Sequence, residues 1–270
     1  MKGFLAAAVQ VCATSDKEAN RATAEAFVRE AAARGARLVV LPEVFLWRGP
    51  REEERRSAEV IPGPVTAWLG GLAKELNLYL VAGSVLERIE GQVRVFNTCT
   101  MFDPSGQMIA LYRKIHLFDV EIEGHVSIRE SASRAPGYAP VVVRTPLATF
   151  GLSICYDLRF PELYRRLVKQ GAEVICVPAA FTFPTGAAHW EILLRARAIE
   201  NQTYVIAPDQ IGHSPAGVHD FGHSLIVDPW GTPVARASNG EGVIVAEIDL
   251  EYLRRVRREL PCLQHVKLEP

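Results

Sequence analysis

Three polar side chains in this sequence stand where apolar runs stop. Glu43 follows Leu38-Val39-Val40-Leu41-Pro42, Lys114 follows Ile109-Ala110-Leu111-Tyr112-Arg113, and Cys155 follows Gly151-Leu152-Ser153-Ile154. An acid, a cation and a thiol are the parts of a nucleophilic acyl-transfer site. A thiol attacks well as thiolate or when an adjacent base takes its proton. A carboxylate within hydrogen-bond reach supplies that base, and a fixed cation stabilises the tetrahedral oxyanion. Each residue alone has an ordinary alternative. A strand-end acid caps a turn, a cysteine packs as a small hydrophobe, and a lysine beside an arginine is solvated. Only their convergence would carry chemistry.

The elements that must bring them together are short apolar, β-branched runs alternating with longer helical patterns. Leu5–Val11, Arg37–Leu41 and Leu78–Val85 read as strands, with helices over Asn20–Arg34, stopped by Gly35, and Thr66–Leu76. Strands around Phe96–Phe102 and Met108–Tyr112 flank the turn Asp103-Pro104-Ser105-Gly106. A loose segment from Lys114 to Pro140 is long for a compact domain, as functional loops are. The second half repeats the order: strand Phe150–Cys155, helix Glu162–Gln170, strand Val174–Pro178, helix His189–Asn201, strand Thr203–Ala207, then strands around Ser224–Val227, Val234–Ala237 and Val243–Ile248. This is a structural pseudo-repeat without close sequence similarity. Arg37–Leu41 and Val174–Pro178 are apolar on both faces, so they belong under cover on both sides in a layered α/β architecture. In open α/β structures ligands gather beyond the carboxyl ends of strands, where Glu43, Lys114 and Cys155 are expected.

Composition narrows the class. The chain has 270 residues, 49% hydrophobic and 23% charged, with a formal net charge of −1. It is long enough for one large core, and no linker divides it, so residues 1–270 read as one domain. No basic stripe offers phosphates a footprint, which argues against nucleic acid as a partner. The mixed charges of Arg51 to Arg56 read as a solvated helical face. Five cysteines, none at CxxC spacing, argue against a disulfide framework and a zinc knuckle, and fit reduced thiols in the cytoplasm. Lys2 followed by Phe4 to Ala8 reads as a buried first strand rather than a signal peptide. No stretch reaches a membrane span.

Three segments carry a family resemblance: Leu41-Pro42-Glu43, Tyr112-Arg113-Lys114-Ile115-His116-Leu117-Phe118, and Gly151-Leu152-Ser153-Ile154-Cys155-Tyr156-Asp157-Leu158-Arg159-Phe160-Pro161-Glu162. In this order they resemble the signature segments of the nitrilase superfamily, the carbon–nitrogen hydrolases. The resemblance covers nearly the whole chain, from the first strand to about Leu253. It implies a four-layer α-β-β-α sandwich, with Glu43 as general base, Lys114 as electrophilic stabiliser and Cys155 as nucleophile. Glu130, in Arg129-Glu130-Ser131, matches a further glutamate that would orient Lys114 or the substrate amide. This chemistry, through a cysteine thioester, needs no metal and no cofactor.

Typical nitrilases have tryptophan directly after the nucleophile, whereas here Tyr156 follows Cys155. The chain is therefore similar to the Nit-type amidase branch, as are Ala180-Phe181-Thr182, His189-Trp190-Glu191, Arg195 to Gln202, Gly222-His223-Ser224 and Asp228-Pro229-Trp230-Gly231. That branch includes amidases that remove ammonia from the terminal amide of a small 2-oxo acid or related carboxylate. Expected substrate contacts are Tyr156, Trp190, and Arg159 or an arginine of the helix His189–Asn201, Arg195 or Arg197, gripping a carboxylate bidentately. Asp209–Phe221 and Trp47-Arg48-Gly49 depart from common versions and are expected at the pocket mouth. The competing readings are an N-carbamoyl amide hydrolase, a nitrile hydrolase and a non-catalytic binding protein on the same fold. The resemblance also implies a homodimer or larger homo-oligomer, with the tail 250–270 at a partner subunit and Leu253, Val256 and Leu260 on one side of its helix.

Overall fold

Odd and even residues of the same strands pack against different partners. In the strand Phe4–Gln10, Ala6 and Ala8 join a core that includes Phe150, Leu152 and Cys176, whereas Ala7 and Val9 join Ala24, Val28 and Ala31. Leu38 and Val40 follow the first pair and Val39 the second. A strand points alternate side chains to opposite faces, so a strand apolar at every position lies between two apolar layers. The computed structural model, which describes residues 3–124 and 126–268, shows both layers.

One sheet runs in the order Gly242–Ile248, Phe4–Gln10, Leu38–Val40, Tyr79–Val81, Val95–Phe102, Val85–Glu87. Met108–Arg113 and Arg134–Ala135 also pair with Val95–Phe102. The other runs Val141–Arg144, Thr149–Leu152, Val174–Cys176, Tyr204–Ala207, Leu225–Val227, Pro233–Arg236. Phe4–Gln10, Leu38–Val40 and Tyr79–Val81 are parallel to one another and their next neighbour in the sheet is antiparallel, and Thr149–Leu152, Val174–Cys176 and Tyr204–Ala207 repeat this. The pseudo-repeat is thus a repeat of topology. The inner faces of the two sheets share one core. Helices Lys17–Ala33 and Pro64–Glu75 cover the outer face of the first sheet, and Pro161–Lys169 and Phe183–Asn201 that of the second. The layers are α-β-β-α.

The helix starts are local chemistry. Asp16 caps Lys17–Ala33 through the Ala19 N–H, and Pro64, Pro161 and Pro184 sit in first turns, where no amide donor is needed. This proline moves one boundary: the helix expected from His189 begins at Phe183. The strand expected over Phe150–Cys155 stops at Leu152, and Cys155 opens a 3-10 segment, Cys155–Arg159. The expected strand Leu78–Val85 is two strands, broken at Gly83, whose φ is +52°. A Cβ there would lie 2.0 Å from the Pro42 carbonyl oxygen, so only glycine lets this turn press against the segment carrying Glu43. The loose segment holds a hairpin, Asp119–Ile122 with Val126–Arg129, and a 3-10 turn Glu130–Ala132.

The tail helix packs partly on the chain itself. Leu253 and Val256 of the helix Leu250–Glu259 are buried in the chain itself, while Leu260 is exposed. Arg257 ties the helix down through the carbonyls of Gln202 and Ala172. Leu253 and Val256 thus pack on the chain's own core, and Leu260 stays at the surface. Among the described residues, no helix is long and apolar enough to cross a membrane.

Candidate active site

Glu43, Lys114 and Cys155 lie at neighbouring strand ends across the two sheets, and each backbone is held by the opposite half or a neighbouring strand. The Glu43 N–H donates to the Ala179 carbonyl at 3.3 Å, and the Gln210 side chain donates to the Glu43 carbonyl at 2.8 Å. Lys114 extends the strand Met108–Arg113. Its N–H donates to the Asn97 carbonyl, and its own carbonyl accepts from the Gly137 N–H at 2.7 Å. A Cβ on Gly137 would meet the Arg113 carbonyl oxygen at 2.2 Å, so the clamp requires glycine. The Cys155 N–H donates to the Pro178 carbonyl at 2.9 Å. Cys155 has φ +47°, a left-handed conformation costly for a side-chain-bearing residue. The surrounding bonds hold this turn, which lifts the thiol out of the strand's line.

The side chains form a buried charged chain. Lys114 Nζ lies 2.9 Å from Glu43 Oε1 and 2.9 Å from Glu130 Oε2. Glu43 Oε1 also accepts from Asn97 Nδ2 at 2.6 Å, and Glu43 Oε2 from the Ala180 N–H at 2.9 Å. Arg134 continues the chain, with Nη1 2.7 Å from Glu130 Oε1 and Nη2 2.6 Å from Glu54 Oε1. The Phe118 N–H donates to Glu130 Oε2 at 2.7 Å. The structure brings Glu43, Lys114, Glu130 and Cys155 together at one cavity.

Electrostatics decides the resting protonation. Burial opposes charge on Lys114, but Glu130 and Glu43 outweigh it and its pKa is raised, so the ammonium persists. Burial likewise pushes the Glu130 carboxyl up, but Lys114 and Arg134 win and hold it at about 2. Burial first, then the negative charge of Glu43, drive the Cys155 thiol well above its usual range, while Lys114 and the Ala180 N–H pull the other way. The thiol therefore rests protonated, and attack needs a base to remove the proton. Glu43 faces it.

A second buried carboxylate fixes the geometry. Asp157 accepts from the Tyr112 hydroxyl at 2.6 Å, the His116 N–H at 3.0 Å and the Ile154 N–H at 2.9 Å. It ties the strand before Lys114 and the segment after it to the turn carrying Cys155. Asp157 lay inside a quoted segment without a role. Asn97, Arg134, Glu54 and the Ala180 N–H were not singled out either. Arg134 stands four residues after Glu130, a spacing at which charges pair, but Asn97 and Glu54 carry no such signal, because their contacts are made between sheets and loops.

The cavity has a volume of about 460 Å³. Tyr156 lines it, and so do Trp47, Arg48, His213 and residues 216–219, which belong to the stretches expected at its mouth. Trp190 does not. It is buried beside Phe181, with Nε1 bonded to the His223 carbonyl at 3.0 Å, because its helix turns this face to the sheet. Arg195 is also outside the lining. It points away, with Nε on the Gly231 carbonyl at 2.8 Å. Arg197 is buried under Tyr164 and bonded to the Leu158 carbonyl. The three residues expected as contacts on this helix are corrected to structural ones. Arg159 lies just behind the wall, its guanidinium 5.1 Å from the ring centre of Phe181 and 5.8 Å from that of Tyr156.

The comparisons with known proteins agree with this geometry. The family model described as carbon–nitrogen hydrolase matches residues 5–258. A deaminated glutathione amidase of Bos taurus is 46% identical over 97% of this chain and 81% of its own length. The omega-amidase NIT2 of Homo sapiens is 40% identical over 98% of this chain and 95% of its own. Among solved structures, the C. elegans NitFhit protein superimposes with a TM-score of 0.93 at 37% identity, covering 99% of this chain, which spans 66% of that longer protein. Saccharomyces cerevisiae Nit3, described as a member of branch 10 of the nitrilase superfamily, gives 0.88 at 34% identity, over 96% of this chain and 95% of its own. With a family match along nearly its whole length and amidases among its near relatives, this chain belongs to the carbon–nitrogen hydrolase family and is an amide-hydrolysing enzyme.

Proposed function

We propose that the chain hydrolyses the amide of a small 2-oxo acid, of the deaminated glutathione or 2-oxoglutaramate type, through a thioester on Cys155. The observation that carries the reading is Lys114 Nζ held 2.9 Å from both Glu43 and Glu130 at the cavity that the buried Cys155 also lines. A binding module has no physical need for three buried charges around a cysteine.

Glu43 takes the thiol proton as Cys155 Sγ attacks the amide carbonyl. The developing oxyanion is met by Lys114 and by the Tyr156 N–H, whose place in the first turn after the nucleophile leaves it free of an intrahelical acceptor. The tetrahedral adduct collapses as Glu43 returns the proton to the departing nitrogen. Water then loses a proton to Glu43 and attacks the thioester carbonyl, and thiol and acid leave the cycle restored. Glu130 keeps Lys114 aimed and charged. The leaving group is ammonia from a primary amide. From deaminated glutathione it is the amine of the remaining dipeptide, so ammonia release alone would miss that reaction.

For the acid's carboxylate, Arg159 is the favoured partner. Arg48 is paired with Asp220, and Arg134 with Glu54 and Glu130, whereas Arg159 has no carboxylate partner among the described residues and has its polar contact with the His189 ring nitrogen at 3.3 Å. Packed against two lining rings, Arg159 is proposed for bidentate capture; Arg51, which lines the cavity and bonds the Arg129 carbonyl, is the other arginine here without a carboxylate partner among the described residues. Tyr156 would pack against the same acid.

The test is product release from deaminated glutathione, 2-oxoglutaramate, simple aliphatic amides, a carbamoyl amino acid and a nitrile. Turnover confined to the 2-oxo acid amides supports the reading. Turnover only of the carbamoyl compound or the nitrile would move the protein to another branch.

A cytoplasmic location fits five free thiols. A homo-oligomer is supported by the outer helix face, where Ile192, Ile199 and the nearby Trp230 are exposed; a monomer in light scattering at micromolar concentration would refute it.

A further inference from the structure

Residues 178–181 form a strut between the nucleophile and the base. The Pro178 carbonyl accepts the Cys155 N–H at 2.9 Å, and the Ala179 carbonyl accepts the Glu43 N–H at 3.3 Å. The Ala180 N–H donates to Glu43 Oε2 at 2.9 Å and also bonds Cys155. The strut is held from behind by residues 208–221. The Ala179 N–H donates to the Pro208 carbonyl at 2.9 Å, and the Gln210 N–H to the Ala179 carbonyl at 3.0 Å. Phe181 is gripped at both ends: its N–H donates to Asp209 Oδ1 at 2.8 Å, and its carbonyl accepts the Phe221 N–H at 2.8 Å.

Among these rear bonds the one to Asp209 comes from a side chain. Asp209 is fully buried and stands behind the cavity, outside its lining. Its Oδ2 finds no donor among the described residues, and neither does Oδ1 of Asp220, whose backbone pairs with Thr182 beside Phe181. The other oxygen of Asp220 is on Arg48. An ionised carboxylate only accepts, whereas a protonated one carries one O–H donor. The groups facing the two acids are Glu43, Arg48 and His213, with Cys12 beside Asp220. With one guanidinium among Glu43, Asp209 and Asp220, one acid is favoured to keep its proton. Burial first drives the Asp209 carboxyl well above its usual range, and Asp220 and Glu43 add to it; the Phe181 N–H and Arg48 pull the other way and lose. Burial pushes Asp220 up to about 6, against the pull of Arg48, so Asp220 is the ionised partner at neutral pH.

We propose that Asp209 is a positioning residue for amide hydrolysis: a neutral carboxylic acid whose Oδ1 holds the Phe181 N–H and whose Oδ2–H donates to Asp220 Oδ1, fixing the strut that sets the Ala180 N–H on Glu43 and Cys155. The proposal rests on amide hydrolysis itself and not on which amide is the substrate. It gives both orphaned oxygens a partner with one proton, which a buried acid among acids otherwise lacks. It also keeps a second negative charge away from Glu43. Arg48 completes the link from the cavity wall to the strut, through Asp220 and Asp209.

The experiment compares the natural protein with Asp209→Asn and Asp209→Ala. Asparagine keeps an acceptor for Phe181 and a donor for Asp220; alanine has neither. kcat and KM are measured well below each melting temperature, for 2-oxoglutaramate or whichever amide of the panel above the natural protein turns over. Asp209→Ala is expected to lower kcat roughly ten- to hundredfold, the scale of a small misplacement at a reacting centre, with KM within about twofold. Asp209→Ser, which fills more of the site but has a shorter reach, is expected to fall between the two and stands in if the alanine variant does not fold. Asp209→Asn is expected to recover kcat to within about threefold and to leave the acid limb of the pH profile in place, because one neutral group replaces another. In infrared difference spectra at neutral pH, Asp209→Asn is expected to remove the carbonyl stretch of a protonated carboxyl. Unchanged kcat in the folded alanine or serine variant overturns the positioning role. An asparagine variant as slow as alanine, or unfolded, or with no band lost, overturns the proton on Asp209. If the natural protein turns over no amide of the panel, the proposed function fails, while the infrared band still decides for Asp209.

Discussion

The guanidinium of Arg134 lies 2.7 Å from Glu130, on a carboxylate whose other oxygen is 2.9 Å from Lys114. Glu130 is therefore neutralised from two sides, and Arg134 also meets Glu54. Removing it by Arg134→Met leaves two buried carboxylates short of a cation. The expected cost is about 3 kcal/mol, the low end for breaking a buried pair, because the guanidinium keeps some water contact. Chemical denaturation measures it. Arg134→Lys is expected to recover part of the stability and kcat; a variant as stable as the natural protein would remove Arg134 from the network.

Acid should expose the same group. Glu130 ordinarily titrates near 4.5 and is held at about 2 in the folded protein. Its folded value is depressed, so its contribution is present above about pH 4.5 and is lost as pH falls toward 2. Glu130→Gln is expected to flatten the decline of the melting temperature across that window. An unchanged acid limb would show that Glu130 is not ionised in the fold.

Glu43 has two opposed effects on the nucleophile, which a single variant separates. Its charge raises the Cys155 pKa, yet its carboxylate is the base. Glu43→Gln should shift the pH midpoint of Cys155 alkylation by iodoacetamide downward. Turnover should nevertheless fall by about 10²–10⁴, the usual worth of a general base. A midpoint that stays or rises, or a turnover that does not fall, contradicts the assignment.

Cys155→Ala is expected to abolish turnover, with any residue below about 10⁻³ of the natural rate, while the melting temperature stays close to the natural one. Substantial remaining activity would end the thioester mechanism.

Trp190 and Arg159 should part company. Trp190→Phe removes buried volume and the bond to His223, so stability falls by about 1–3 kcal/mol with KM unchanged. Arg159→Ala should raise KM for carboxylate-bearing amides well above any change for neutral ones. Equal KM effects for both classes would detach Arg159 from the substrate carboxylate.

The element order was legible because it is written in local periodicity and turn residues. Apolar runs of strand length and proline or glycine at their ends gave the alternating pattern, and the resemblance of three ordered segments gave Glu43, Lys114, Cys155 and Glu130 their expected roles. Boundaries were less legible where tertiary contacts set them. Nothing local stops the strand at Leu152; the Pro178 carbonyl and Asp157 turn the chain there. The helix expected at His189 starts at Phe183 because Pro184 suits a first turn, a cue present in the sequence.

What the sequence by itself determined is the chemistry that is available: one thiol, one base and one cation at the ends of strands whose pattern demands cover on both faces. What only the tertiary structure decided is which side chains share a space. Trp190, Arg195 and Arg197 were expected contacts, yet one helix surface cannot serve both the sheet and the cavity, and packing claimed it. Asn97, Arg134 and Asp157 entered the site because side chains distant in sequence meet where two sheets close, and a buried charge there is stable only when its partners arrive with it.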